Sequence, residues 1–280
     1  FWLAFFAPAF SGVAKKIKKY SDATIMVICH NIIPHEEHLL DTRLTKRFFG
    51  FIDSFIVLSN KVENELLSFV PGAKYKYSPH PVYNIFKNTL SKEQAKAELK
   101  IATKKVLLFF GLIRKYKGLD ILIKAMEKIN TELEDYTLLI VGECYENKDK
   151  YIDLIKKAGI TDNVHCHYSF VPDNEVGKYF SASDVVVLPY KTASQSGIVQ
   201  IAYHFDTPVI VSNVGGLPEI VDEGKTGYCV EPSSNAFAKA IKAFYEKDNI
   251  SELNSNISDY KSQFSWNAMV NAIEELVNVH

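Results

Sequence analysis

Arg114 and Lys117, three residues apart in "FFGLIRKYKGLD", are the pair whose types and spacing point most directly to chemistry. An arginine fork grips a phosphate through two parallel hydrogen bonds, and a lysine adds a compact charge. Both follow an apolar run that ends at Phe110, with Gly111 permitting a tight exit and a helix expected from near Gly118. Taken alone, the pair could equally be two surface cations on a solvated loop. A second feature, "VVVLPYKTASQSGIVQIAYHFDTPVIVS", weighs against that reading. Here an apolar strand enters a loop of small hydroxyl and amide residues, passes Gly197 and re-emerges as a helix. A helix N-terminus offers unpaired N–H groups and a partial positive charge, and Gly197 would let a ligand approach the backbone. No charged side chain lies between Lys191 and Asp206, so neutralising charge must come from elsewhere. If both loops lie at the carboxyl end of one parallel sheet, Arg114, Lys117 and the helix N-terminus at Ser196–Gly197 form one cleft, and a diphosphate is its natural occupant.

Other candidates carry a plainer alternative. His30 directly follows the strand-like "TIMVIC", where a histidine can orient a hydroxyl or phosphate; its alternative is a core histidine bonded to backbone. Glu143 in "LLIVGECYE" follows another strand end and either binds a ribose hydroxyl or caps the next helix, the cap being preferred. Gly215 and Gly216 in "VGGLPEIV" allow a close backbone approach, and Glu219 is expected just inside a helix as a favourable first-turn acid. His35 and His38 flank two glutamates as H-E-E-H, which is not zincin spacing, and read as loop residues. His165 and His167 share one face of a strand with Cys166 on the other, and no metal is expected there. The run "KKIKK" at 15–19 reads as a solvated helix face, with contact to an anionic membrane surface as the alternative.

The elements that must position these residues alternate. Between residues 23 and 231, β-rich runs ("TIMVICH", "SFIVLS", "VLLFF", "TLLIV", "NVHCHY", "VVVLP", "PVIVS", "TGYCV") are separated by helix-length segments, which predicts βαβ units and parallel sheets. Near-continuous apolar strands predict cover on both faces. The second block holds six strands, a full doubly wound domain, and the first only two. A boundary is therefore expected within 82–103, and the leading strands of the first domain are expected outside this sequence, which begins at Phe1 in mid-pattern. The opening "FWLAFFAPAFSGVAKKIKKY" is too short and too interrupted for a membrane span or a signal peptide, and reads as a buried helix.

Composition narrows the class. The chain has 280 residues, 47% apolar and 23% charged, which excludes disorder and coiled coil, and its net charge of −1 offers no global field for nucleic acid. Four cysteines, Cys29, Cys144, Cys166 and Cys229, sit apart in apolar runs, which fits small hydrophobes in a reducing cytoplasm. There is no G-x-G-x-x-G after a strand and no G-x-x-x-x-G-K-[ST], which disfavours dinucleotide oxidoreductases and P-loop NTPases.

"GLIRKYKGLDILIKA", "LLIVGE", "SASDVVVLPY", "SGIVQIAYHFDTPVIVSNVGGLPEIVDEGKTGYCVEP" and the late "FSW" together resemble the C-terminal half of retaining glycosyltransferases of family 4, which have the GT-B fold. The resemblance spans about residues 24–275 and is dense from Lys105 to Pro232. It implies an α/β protein of two Rossmann-like, doubly wound parallel-sheet domains. Their expected bounds are 1–85 for an incomplete acceptor-side domain, 86–262 for the nucleotide-sugar domain, and 263–280 for a helix packing back on the first. It implies transfer of a sugar from a UDP- or GDP-sugar to a glycan or lipid-linked acceptor in cell-surface polysaccharide synthesis, with no cofactor or obligatory metal. It places Arg114 and Lys117 on the donor diphosphate, His30 as the N-terminal domain's cleft histidine, and the segment around Val171 along the base. One departure stands out. Many members carry two glutamates eight residues apart around the glycine turn, and an ungapped match puts Ser194 and Ala202 there; either the donor is bound instead through Gln195, Ser196 and the N–H groups of Gly197 and Ile198, the favoured reading, or turnover has been lost. The resulting alternative is a non-catalytic GT-B partner that binds nucleotide or glycan; a GT-B epimerase is a weaker rival, since paired cleft carboxylates are missing.

Overall fold

The computed structural model describes residues 3–32, 41–83, 85, 86 and 90–277. His35 and His38 lie outside the described residues. The chain divides into two compact units, Phe1–Pro81 with Phe264–His280, and Val82–Gln263.

The first unit opens with helix α1 (Leu3–Tyr20), then β1 (Met26–Cys29), α2 (Asp41–Phe49), β2 (Ser54–Val57), α3 (Asn60–Phe69) and β3 (Tyr75–Tyr77). Its three strands are parallel in the order β1-β2-β3. The sequence reading gave this block two strands; β3 escaped it because "YKY" is three residues long, carries a lysine and faces solvent along most of its length. Helix α1 was expected to be buried and is not. Ala7, Ser11 and Ala14 pack inward on one stripe, while Phe6, Val13 and Tyr20 are exposed, the pattern of an amphipathic helix lying on a surface. Phe10, Phe48, Phe49 and Phe55 make a chain of ring contacts beneath it. No described helix is long and apolar enough to cross a membrane.

The second unit holds α4 (Lys92–Glu98), β4 (Lys105–Phe110), α5 (Leu119–Ile129), β5 (Tyr136–Val141), α6 (Lys148–Lys157), β6 (Val164–His167), α7 (Asp173–Ala182), β7 (Val185–Leu188), α8 (Gly197–His204), β8 (Val209–Ser212), β9 (Gly227–Val230), α9 (Ser234–Glu246) and α10 (Ile250–Tyr260). All six strands are parallel, in the order β6-β5-β4-β7-β8-β9. Strands β5, β7 and β8 are buried throughout, because helices cover both faces. The alternation along β4 shows how. Leu107 and Phe109 join the core under α5, α6 and α9, while Phe110 meets Phe180 of α7, which stacks on Phe205. Each fully buried Leu or Phe of this kind contributes about 1.5–3 kcal/mol. The chain then returns through α11 (Trp266–Val277), whose Met269, Ala272 and Leu276 pack on Ile56 and Leu58 of the first unit.

The strand order fixes where a ligand fits. From β4 the chain winds outward through β5 and β6, then returns to place β7 on the other side of β4 and winds outward again. The reversal lies between β4 and β7, so the loops after these two strands flank a crevice at their carboxyl ends.

Candidate phosphate-binding site

The two loops at that crevice are those carrying Arg114 and Lys117, and Ser196 and Gly197. They are one packed object. Gly118, at φ +69°, lies so close to the other loop that a Cβ there would sit 1.9 Å from the Pro189 carbonyl oxygen. Lys191 N–H donates to the Tyr116 carbonyl at 2.7 Å, and its ammonium pairs with Asp120 at 2.8 Å. The loop after β8 is fastened to the same object. A Cβ on Gly215 would sit 1.6 Å from the Ala193 carbonyl oxygen, and Gly216 N–H donates to the Ser194 carbonyl at 3.1 Å. The close approach expected at Gly215 and Gly216 is thus to protein backbone. Glu219 sits in a three-residue 3-10 turn, Pro218–Ile220, and not in an α-helix, because the chain enters β9 within a few residues.

Both cations rest on aromatic rings. The Arg114 guanidinium carbon is 4.7 Å from the centre of the exposed Tyr145 ring, and the Lys117 ammonium is 3.8 Å from that of the buried Tyr190. Arg114 Nε is buried without a hydrogen-bond partner, a donor left for a ligand or a water. Gly111, at φ +108°, bends the chain out of β4, and its N–H reaches back to the Val141 carbonyl at 2.9 Å. The Glu143 carbonyl accepts from Ile113 N–H at 2.9 Å, which joins the β5 loop to the β4 loop. Its carboxylate accepts from the Tyr145 hydroxyl at 3.1 Å and does not cap α6; Asn147 does, accepting from Asp149 N–H. A carboxylate five residues before the first helical residue stands too far back to reach the first-turn donors.

At α8, Ser196 is the N-cap, its hydroxyl accepting from Ile198 N–H at 3.3 Å. Ile198 N–H is thus engaged within the cap, while the Ser196 hydroxyl keeps a proton of its own to donate. Gly197 N–H is left as the first-turn donor not engaged by Ser196. The space beside Gly197 is also taken, because a Cβ there would lie 3.1 Å from the Tyr83 hydroxyl. Tyr83 and Phe86 run along this face of α8, with the Phe86 carbonyl 2.8 Å from His204 Nε2. Gly197 therefore admits a tyrosine from the connecting segment, which no local sequence pattern announces. Gln195 is half-buried beside the cap. Gln200, one turn into α8, is 1% exposed with neither amide atom hydrogen-bonded. Ser194 and Ala202 are buried, and Ala202 sits in the core, where a carboxylate would be desolvated. Val171 is 7% exposed while its neighbour Phe170 is 68% exposed, so the segment can offer backbone or Phe170 to a ligand but hardly the Val171 side chain.

In the first unit, His30 follows β1 and its ring centre lies 5.8 Å from that of His80, which follows β3. Partial burial lowers the His30 pKa from its ordinary value, and the His80 charge adds to that. His80 Nδ1 lies 2.8 Å from the Pro81 carbonyl and so carries the proton. His80 was missed in the sequence because its strand was missed. Of the cysteines, Cys29 is buried as expected, but Cys166 is exposed on the edge strand β6. All four are free. No group of three metal-ligating side chains occurs among the described residues.

Two Rossmann-like parallel sheets, the larger with a crevice where its strand order reverses, make up a GT-B fold. Residues 91–264 match the Glycosyl transferases group 1 family, and the chain belongs to that family. It is 27% identical to spore coat protein SA of Bacillus subtilis strain 168 over 96% of this chain and 75% of that one. It is 30% identical to D-inositol 3-phosphate glycosyltransferase of Corynebacterium aurimucosum over 66% of this chain and 45% of that one, so it spans under half the length of this relative. Among solved structures, Anabaena Alr3699/HepE in complex with UDP superimposes with a TM-score of 0.83 at 20% identity, over 98% of this chain and 77% of that one. The same protein has been solved with UDP-glucose, at a TM-score of 0.78 and 19% identity, over 97% of this chain and 75% of that one.

Proposed function

We propose that this chain transfers a sugar from a UDP- or GDP-sugar to a glycan or lipid-linked acceptor, with retention at the anomeric carbon as in the family 4 enzymes it resembles. The observation that carries the proposal is the fusion of the Arg114–Lys117 loop to the N-terminus of α8 at the strand-order reversal. In this reading Arg114 and Lys117 hold the diphosphate and offset the charge on the departing nucleoside diphosphate. Gly197 N–H adds a fixed donor, Gly111 leaves room beside the phosphates, and Gln195 supplies an amide at the sugar. The backbone at Val171 runs along the base, Glu143 takes a ribose hydroxyl, and His30 orients a hydroxyl or phosphate. With two cations on the leaving group, no metal is required. The HepE complexes support a uridine donor as the first to test. The setting proposed with it is cell-surface polysaccharide synthesis in the cytoplasm, with peripheral contact at the inner membrane face through α1, a reading supported by Lys15, Lys16 and Lys19, which stand exposed beside Val13 and Tyr20.

A second reading, a non-catalytic partner that binds nucleotide or glycan, is favoured by one observation: the first turn of α8 carries no acidic residue. Calorimetry and thermal shift with UDP, GDP, ADP and their sugars, run beside Arg114→Ala, test the main proposal. It expects one nucleoside diphosphate to bind and the variant to lose it. Slow donor hydrolysis without acceptor would exclude the second reading, and full transfer activity in Arg114→Ala would remove Arg114 from the site.

A further inference from the structure

The geometry points to Tyr190 as a positioning residue that couples the two halves of the phosphate site, setting the Lys117 ammonium relative to the first turn of α8. The inference rests on the diphosphate reading above. Tyr190 is 1% exposed, so its ring is fixed by packing. One face carries the Lys117 ammonium at 3.8 Å from the ring centre, and the Tyr116 ring meets it edge-on at 6.4 Å. Its hydroxyl is 3.2 Å from the Ser196 hydroxyl, the group that caps α8. One side chain therefore touches both the Lys117 ammonium and the cap of the helix whose N-terminus lies at the same crevice.

The arrangement also explains why Lys117 is ready for a ligand. The one acidic residue in the first turn of α5 is Asp120, and Lys191 engages it. Among the described residues Lys117 makes no ion pair. An ammonium held on an aromatic face keeps its charge and most of its hydrogen-bonding capacity, whereas one in a salt bridge would have to break that bridge before meeting a phosphate. A flexible four-carbon stem would otherwise lose entropy on binding, and the ring removes part of that freedom beforehand.

The test compares the full chain with Tyr190→Phe, Tyr190→Leu, Lys117→Met and the double variant Tyr190→Leu/Lys117→Met, titrating UDP and GDP by calorimetry. Tyr190→Phe keeps the ring under Lys117 but breaks the contact with the Ser196 cap and should weaken affinity about threefold, while Tyr190→Leu, which loses both, should weaken it about tenfold; unchanged affinity in Tyr190→Phe would remove the cap from the coupling. The double variant should bind no more weakly than Lys117→Met alone. If Tyr190→Leu costs as much in the Lys117→Met background as in the parent, or nothing in the parent, the coupling is overturned. An independent readout needs no ligand. The methylene protons next to the Lys117 nitrogen should be shifted upfield by the ring current in the parent and in Tyr190→Phe. Unshifted protons in the parent overturn the proposal even if UDP binds, whereas shifted protons in a protein that binds no nucleoside diphosphate place the failure in the diphosphate reading.

Discussion

The two units present their strand ends in different ways. In the larger unit, three loops converge at the strand-order reversal and are held by backbone contacts so close that Gly118 and Gly215 leave no room for a methyl group. In the smaller, the strand ends carry the exposed His30 and the half-buried His80, their ring centres 5.8 Å apart. The strands differ likewise. Strand β4 is buried from Val106 to Phe110, while β1 is only partly buried and Ile28 is exposed. Preorganised donors stabilise developing charge because they need not reorganise when it appears. Closely fastened loops of this kind are what the proposed diphosphate site calls for.

The sharpest way to break this contrast is to put a methyl group into the fastened loops. Gly118→Ala and Gly215→Ala each force a left-handed backbone on an L residue and drive its Cβ into a carbonyl. The backbone conformation alone costs roughly 1–3 kcal/mol, and the clash adds to it. Denaturant unfolding should show each variant destabilised by about 3 kcal/mol or more; Gly72→Ala in the smaller unit, where a Cβ meets nothing within 4 Å, should lose only the backbone part. Next in size is Ser196→Ala, which removes the cap of α8 and the partner of the buried Tyr190 hydroxyl. It should cost about 1–2 kcal/mol of stability, with a fall in diphosphate affinity measurable by calorimetry.

In the smaller unit the expected effect is a titration. Because the His30 pKa in the folded chain lies below its ordinary value of 6.5, the unfolded chain binds more protons between those two values. Stability is therefore lost as pH falls below 6.5. Its NMR midpoint should lie below 6.5 and rise in His80→Asn, since the His80 charge contributes to the lowering. A midpoint unmoved by that substitution would separate the two rings. The smallest effect belongs to Tyr145→Phe. It keeps the ring under Arg114 and removes only an exposed hydrogen bond to Glu143, so stability should change by less than about 0.5 kcal/mol and UDP affinity by less than about threefold.

The four inner strands of the larger sheet, β4, β5, β7 and β8, were legible because burial on both faces writes them as continuous apolar runs, as in "VLLFF" and "VVVLP", while the partly exposed edge strands β6 and β9 were legible by their place in the strand–helix alternation. Strand β3 was not, since "YKY" faces solvent and its pairing with β2 is set by the tertiary fold. Arg114 and Lys117 stood out by charge and by their place after a strand. What held them did not, because Tyr145 and Tyr190 arrive from other loops and look like ordinary aromatics. Gly197 shows the same limit: the residue type correctly signalled a close approach, but the approaching group is Tyr83, more than a hundred positions earlier.

Glycine amides give the most direct test of the central claim, that one nucleoside diphosphate is held between the β4 loop and the first turn of α8. The chain has 13 glycines, so a protein labelled with nitrogen-15 at glycine yields a spectrum simple enough to follow during a UDP titration. The account predicts that Gly111 and Gly197 shift together and saturate at one UDP per chain, while Gly12, Gly50 and Gly72 of the smaller unit stay in place. Binding that moves those three and leaves Gly111 and Gly197 unchanged would contradict it.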